Sequence, residues 1–247
     1  MAISILQKAK NAIVYQVNAT NIKFPNVTTA GSYILVVVEG QKSGFPYSYS
    51  ALAANTLTPT VYDDKSNTYT LAGYVKNAIQ EPTAGTTQPD LAGFFPSVYV
   101  FLAPATAGTQ KISVAAFYPA EITSPVQVGG RAVYDGGLQV QMYEIAGLST
   151  GVDSGATGTL TVNSNAATLG GGVTPSGNNE LVVEALALID SSAFKNATTA
   201  TLQDVGAFLG GASYWGVQTT IQTTAAASSG FSNPLRYAGA VVTVVLK

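Results

Sequence analysis

The chain has 247 residues, of which 47% are apolar and only 10% are charged, with eleven basic and thirteen acidic side chains. This length allows one large β domain or two small ones, and the small net charge without a basic run excludes a nucleic-acid-binding footprint. Cysteine and histidine are both absent, which excludes disulfides, thiolate or histidine metal sites, and Ser-His-Asp or Cys-His catalysis.

The chain also lacks the sequence features of export and of membrane insertion. Residues 1–8 have no basic segment followed by a long apolar one, so we expect no signal peptide and synthesis in a cytoplasm. No apolar run approaches the ~18 residues of a membrane-spanning helix. We therefore expect neither a membrane nor a nucleic acid among the partners.

The first forty residues predict short strands leading into a buried one. Apolar alternation at Ile3 and Ile5, and again across 12–17, is typical of half-buried strands, and residues 8–11 between them predict a turn or a helical turn. Six apolar residues then run from Tyr33 to Val38, bounded by small turn residues and by Gly40. This short, β-branched run predicts a buried strand.

Two hairpins and two loops are predicted over the next eighty residues. Residues 57–75 and 97–118 each read as a strand, a turn and a return strand, the first turn being rich in Asp, Ser and Asn. Glycine and proline predict loops at 40–50 and 80–93.

The second half contains a further series of predicted strands. Residues 138–146, 180–189, 213–221 and 237–246 read as strands, whereas 192–210 has mixed spacing that allows a short helix. The total is about nine or ten strands without βαβ alternation. We therefore predict an all-β, antiparallel, jelly-roll-like sandwich forming a single domain over 1–247, the alternative being two β modules, 1–150 and 151–247.

The two most apolar strands align with each other. Leu35 matches Leu181 and Gly31 matches Gly177 with the same offset, and Val17-Asn18 matches Val162-Asn163. This weak pseudo-repeat has two explanations: two copies of one module, or similar positions in the two sheets of one sandwich. We favour the second, because nothing after the two apolar strands matches.

Two short motifs carry a resemblance to known proteins. Asp63-x-x-x-Asn67-Thr68-Tyr69 forms a predicted hairpin turn, and Tyr143-Glu144-x-x-Gly147-Leu148 forms a predicted strand end. With the order of the strands over 31–247, they resemble β-sandwich (jelly-roll or Ig-like) domains of phage capsid and tail accessory proteins and of bacterial surface proteins. The resemblance implies a structural or adhesive role. The loop at 44–49 and the segment 192–210 depart from it.

Acidic side chains are the candidates for chemistry. Glu39, Glu144, Glu180 and Glu184 lie on or near strands, and Glu39 and Glu184 occupy corresponding positions of the two apolar strands. A carboxylate pair could hydrolyse glycosides, but charges at strand ends or interfaces explain the pattern better, and we predict no enzyme. Likewise, Asp63, Asp64 and Asn67 are weak calcium candidates whose spacing fits a capped turn better than an EF-hand.

Aromatic side chains on the predicted loops are the candidate contact residues. These are Phe45, Tyr47, Tyr49, Phe94 and Phe95. Such rings stack on sugars or anchor protein contacts, or else fold back over the ends of the sandwich. Trp215, the only tryptophan, is predicted to lie in the core.

The expected function is therefore structural. We predict a non-enzymatic virion protein without a cofactor, a capsid, decoration or tail component made in the host cytoplasm. Its partners would be copies of itself and other virion proteins. The alternative is an extracellular β-sandwich module that binds a glycan or a cell surface.

Overall fold

The computed structural model describes residues 2–11, 14–15, 19–43, 58–75, 94–115, 126–128, 131–133, 136–153, 159–161, 168–169, 173–189, 202–207, 213–224, 226–227, 230–232 and 239–247. These residues form strands and connections, with no helix among them. The prediction of an all-β, antiparallel sandwich is confirmed.

Eighteen strands lie in this part of the chain, more than the nine or ten predicted, because several are pieces of two or three residues. In chain order they are β1 (Ser4–Lys10), β2 (Val14–Tyr15), β3 (Ala19–Lys23), β4 (Tyr33–Ser43), β5 (Thr60–Asp63), β6 (Thr70–Val75), β7 (Phe94–Pro104), β8 (Lys111–Ala115), β9 (Val126–Val128), β10 (Arg131–Val133), β11 (Gly136–Ala146), β12 (Thr159–Thr161), β13 (Thr168–Leu169), β14 (Glu180–Ile189), β15 (Leu202–Ala207), β16 (Ser213–Gln222), β17 (Phe231–Ser232) and β18 (Gly239–Leu246).

Three sheets stack into three layers. The central sheet has the order β1-β11-β4-β7-β6, with β2 also paired to β11. A C-terminal sheet, β12-β18-β14-β16-β15, covers one face of it, and a small sheet, β3-β8-β5, covers the other. Two further two-stranded sheets are β9-β10 and β13-β17.

The layering explains why Tyr33–Val38 is continuously apolar. Leu35 and Val37 pack in the main core, between the central and C-terminal sheets. Ile34, Val36 and Val38 pack in a second core against the small sheet. A strand buried on both faces needs apolar side chains at successive positions, whereas a half-buried strand alternates.

The two most apolar strands share one core. Leu35 of β4 and Leu181 of β14 both belong to the main core, as expected for matching positions in facing sheets. The central-sheet strands come from residues 4–146 and the C-terminal-sheet strands from residues 159–246. The division into one domain or two modules stays a prediction.

Both predicted hairpins are wrong, for one physical reason. β5 pairs with β8 in the small sheet, whereas β6 pairs with β7 in the central sheet. The turn at 64–69 and the turn at 105–110 therefore each carry the chain from one layer to the next. These turns are arches, and turn-forming residues alone do not distinguish an arch from a hairpin.

Other local predictions also change. Residues 8–10, predicted as a turn or helical turn, continue β1, and residues 40–43, predicted as the start of a loop, continue β4. Phe94-Phe95, predicted on a loop, begin β7. Residues 202–207 form β15 where a short helix was considered, and the rest of 192–210 lies outside the described residues. Trp215 is 3% exposed, which confirms its place in the core.

Candidate functional site

The predicted calcium ligands hold the arch at 64–69 and the arch at 105–110 together. Asp63 Oδ1 accepts the backbone N–H groups of Lys65 (2.8 Å) and Asn67 (3.1 Å), and its Oδ2 accepts the Asn67 side-chain amide (2.8 Å) and the Tyr69 hydroxyl (2.7 Å). Between them Ser66 adopts a left-handed backbone, with φ of 57°. This pattern is an Asx-type turn, in which the carboxylate takes the place of backbone acceptors.

The neighbouring side chains reach the next arch. Asp64 accepts the backbone N–H groups of Gln110 (3.1 Å) and Lys111 (3.3 Å). Asn67 Oδ1 accepts the N–H and hydroxyl of Thr106, and its amide donates to the Thr109 hydroxyl. Both oxygens of both aspartates therefore already accept N–H or O–H donors.

The hydrogen bonds of these side chains fit the predicted capped turn, and the absence of a metal here stays a prediction. No cluster of three or more possible metal-ligating acids occurs among the described residues. Burial raises the pKa of the Tyr69 hydroxyl first of all, and its hydrogen bond to Asp63 raises it further. Tyr69 therefore stays protonated and continues to donate to Asp63.

Asp63→Ala is expected to destabilise the fold by about 2 kcal/mol, because four donors lose their acceptor. A chelator should leave the melting temperature of the wild type unchanged. Thermal unfolding with and without EDTA measures both effects. A melting temperature that falls on chelation would show that the turn holds a metal after all.

The carboxylate pair considered for glycoside cleavage is not assembled. Glu39 shares the inward face of β4 with Leu35 and Val37, so it points toward the C-terminal sheet. Glu184 alternates with Val183 and Ala185, which face the main core, so it points to the outer face of that sheet. The C-terminal sheet thus stands between the two carboxylates, whereas a glycosidase needs both flanking one bond.

Each of these two glutamates has a local partner. Gln141 Nε2 donates to Glu39 Oε2 at 3.0 Å, and the Tyr143 hydroxyl donates to Gln141 Oε1 at 2.6 Å. Gln218 Nε2 donates to Glu184 Oε2 at 2.5 Å, and the Gly230 N–H donates to its Oε1 at 3.1 Å. Both carboxylates are buried members of polar networks inside or against a sheet.

Glu144 accepts four hydrogen bonds, as many as Asp63. Its Oε1 accepts the Thr29 N–H (2.7 Å), the Thr29 hydroxyl (2.8 Å) and the Ser32 hydroxyl (2.8 Å), and its Oε2 accepts Gln7 Nε2 (2.6 Å). Burial alone would raise the pKa of this carboxyl, but the bonds from Thr29, Gln7 and Ser32 outweigh it and hold the pKa below its ordinary value. Glu144 thus ties β11 to residues 24–32, which connect β3 to β4, and to β1.

Two of the predicted contact residues lie in described strands and three do not. Phe94 and Phe95 pair with Ser43 and Lys42 at the start of β7. Phe45, Tyr47 and Tyr49 lie outside the described residues. The structure therefore does not test whether these five rings come together.

Sequence reasoning missed a different aromatic feature on the central sheet. Tyr74 of β6 is 53% exposed, and its ring stacks on the buried ring of Tyr99, with centroids 6.0 Å apart and planes 6° apart. Tyr99 stacks in turn on Phe101 at 6.5 Å. Burial raises the pKa of Tyr99 to about 12. Only the pairing of β6 with β7 would have revealed this stack, and the predicted hairpins assigned both strands to other partners.

A groove beside β1 is the second feature that sequence reasoning missed. It has a volume of about 470 Å³ and is lined by residues 3–8 on one side and by Leu181, Thr219 and Ile221 on the other. Lys10 Nζ lies 5.1 Å from the centroid of the Trp215 ring, so β1 lies over β16.

Comparison with models of protein families, with curated proteins and with solved structures finds no match. Among the described residues no helix has the length and hydropathy to span a bilayer.

Proposed function

We propose that this chain is a non-enzymatic structural subunit of a phage or viral particle, in a capsid, decoration or tail, acting through contacts between subunits. The observation that carries the proposal is that its acidic side chains serve as hydrogen-bond acceptors within the fold. Asp63, Asp64, Glu144 and Glu184 all accept hydrogen bonds that join strands, arches or layers.

The surface chemistry supports the same role. Only 10% of the residues are charged and the formal net charge is -2, so long-range repulsion between copies is weak. Residues exposed on such a surface can be buried against a neighbouring subunit without desolvating many charges, which is the costly part of forming a contact. The subunit would be made in the host cytoplasm and act in the particle.

Sedimentation and electron microscopy of the purified full-length chain test this proposal. We expect a defined oligomer or a closed ring rather than a monomer, and no binding to a glycan array. A chain that is monomeric at every accessible concentration contradicts the proposal.

The exposed Tyr74 ring favours the second candidate, a glycan- or cell-surface-binding module outside the cell. A flat ring supported from behind by Tyr99 can stack on a sugar face. If the glycan array is positive, Tyr74→Ala should abolish the binding while Tyr62→Ala, on the small sheet and 50% exposed, should not. Equal binding by the two variants would exclude the Tyr74 platform.

A further inference from the structure

Charged side chains from three neighbouring strands meet at one end of the C-terminal sheet. Val152 lies opposite Leu246 at the end of β18, and Leu246 lies opposite Leu181 at the start of β14. All three of these apolar side chains pack in the main core. Because successive side chains of a strand alternate between its faces, the residue next to each one points to the outer face. These three residues are Asp153, Lys247 and Glu180.

The amine of Lys247 is held against the carboxyl group of Asp153. Lys247 Nζ lies 3.1 Å from Asp153 Oδ1, and the Asp153 side chain is only 3% exposed. Backbone bonds fix both residues, since the Asp153 N–H donates to the Val245 carbonyl and the Lys247 N–H to the Gly151 carbonyl, each at 2.8 Å. The Ser176 N–H donates to Asp153 Oδ2 at 3.0 Å and so fixes the orientation of the carboxyl group.

Glu180 provides a second carboxyl group beside this pair. It is 4% exposed, and its Oε1 accepts the Ser176 hydroxyl at 3.3 Å, so Ser176 contacts both acids. Glu180 Oε2 is buried and has no hydrogen-bond partner in the part of the chain that the structure describes. A buried polar atom without a partner costs free energy, whereas a carboxyl oxygen that accepts and returns a proton during a reaction has a use for that position.

We propose that Lys247 and Asp153 condense into an amide bond between their side chains, an isopeptide bond, with Glu180 as the proton relay. The structure supplies an amine nucleophile, an acyl carbon and a proton carrier at one buried end of the sheet. Holding the amine and the carboxyl group in contact replaces a bimolecular encounter with a reaction inside one molecule.

The reaction balances without a further reactant. One proton moves along the hydrogen bond from the Lys247 ammonium to the Asp153 carboxylate, which leaves a neutral amine and a neutral acid. Nζ then attacks Cγ and the N–C bond forms. Glu180 takes a proton from the nitrogen and returns it to the Asp153 hydroxyl, which leaves as water when its C–O bond breaks. The burial of the Asp153 carboxyl group limits the access of water for the reverse reaction.

The bond would enclose the whole C-terminal sheet. The strands of that sheet lie within residues 159–246, and a link between residues 153 and 247 closes the chain around all of them. Such a link restricts the unfolded chain, as a disulfide does in proteins that contain cysteine. The bond forms within one copy of the chain, so it goes beyond the structural role proposed above and does not depend on it.

The intact mass of the purified full-length protein tests the proposal directly. We expect the wild type to be lighter than its sequence by one water molecule, and a protease digest to yield one linked peptide that contains Asp153 and Lys247. Lys247→Arg is the matched control, because arginine keeps the charge beside Asp153 but does not form the amide. It should have its full mass and a lower melting temperature. A folded wild type of full mass, or a loss of water that persists in Lys247→Arg, overturns the proposal.

A pair of glutamate variants tests the proton relay. Glu180→Gln keeps an acceptor for the Ser176 hydroxyl but cannot carry a proton, so we expect the loss of water to be slower by about a hundredfold. Glu184→Gln changes another buried glutamate on the outer face of β14 and should leave the rate unchanged. Mass spectra taken over time after cell-free synthesis measure both rates, and circular dichroism checks that both variants fold. Equal rates in the two variants overturn the role of Glu180.

Discussion

Glu144→Ala is expected to be among the most destabilising substitutions in the chain, lowering the free energy of unfolding by about 3–5 kcal/mol. The substitution removes the common acceptor of four donors from Gln7, Thr29 and Ser32. Bonds to an ionised carboxylate are stronger than neutral ones, and the substitution removes all four at once. Denaturant unfolding measures the loss.

Ser32→Ala is the matched control, because it removes one of the four donors and leaves the carboxylate in place. We expect it to cost about 1 kcal/mol. An effect of Glu144→Ala no larger than that of Ser32→Ala would contradict the central role of the carboxylate.

Glu144 also makes stability depend on pH in a definite direction. Its pKa is lower in the folded state than its ordinary value, so the ionised form is favoured by folding. This contribution is fully present above the ordinary carboxyl pKa and is lost as the pH falls through the lowered value. Glu144→Gln should therefore flatten the acid limb of the stability curve, measured by denaturant unfolding from neutral pH to about pH 3.

Gly147→Ala is the second substitution with a large expected effect. Gly147 follows β11 with φ of +85°, a conformation that favours glycine, and a Cβ there would meet the Ala2 carbonyl oxygen and lie 2.8 Å from its carbon. Both atoms belong to the backbone, so the N-terminal segment must move. We expect a loss of about 2–5 kcal/mol in the free energy of unfolding, with faster hydrogen exchange in β1.

Gly31→Ala separates the two causes. Gly31 has φ of +80°, but no atom lies within 4 Å of the position that its Cβ would take. Backbone strain alone should then cost about 1 kcal/mol. Equal effects of the two variants would mean that contact with Ala2 contributes nothing.

The strands that sequence predicted best are those with an unambiguous pattern. Tyr33–Val38 and 180–189 have bounded apolar runs, and both are buried strands of one core. The third layer was not foreseen, because the strands of the small sheet are four or five residues long. The sequence pattern of a run as short as Thr60–Asp63 is the same whether the next strand pairs in the same sheet or in another sheet.

The candidate site was less predictable, because it depends on pairing between distant strands. Asp64 and Asn67 were recognised as turn residues, but their contacts with Gln110 and Thr106 depend on a second arch some forty residues away. Leu6 and Thr219 are separated by most of the chain, and only the packing of β1 over β16 places both in one groove. Local sequence patterns do not show which distant residues lie close together in the fold.

The pairing of the first strand has a consequence for how the protein folds. β1 pairs with β11, where Ser4 lies opposite Ala146, so its partner is synthesised only after more than half of the chain. Closing so long a loop costs entropy before any contact repays it, and domains dominated by such pairings fold in milliseconds to seconds. On the ribosome, β1 therefore stays unpaired until β11 has emerged, and only then can it join the central sheet.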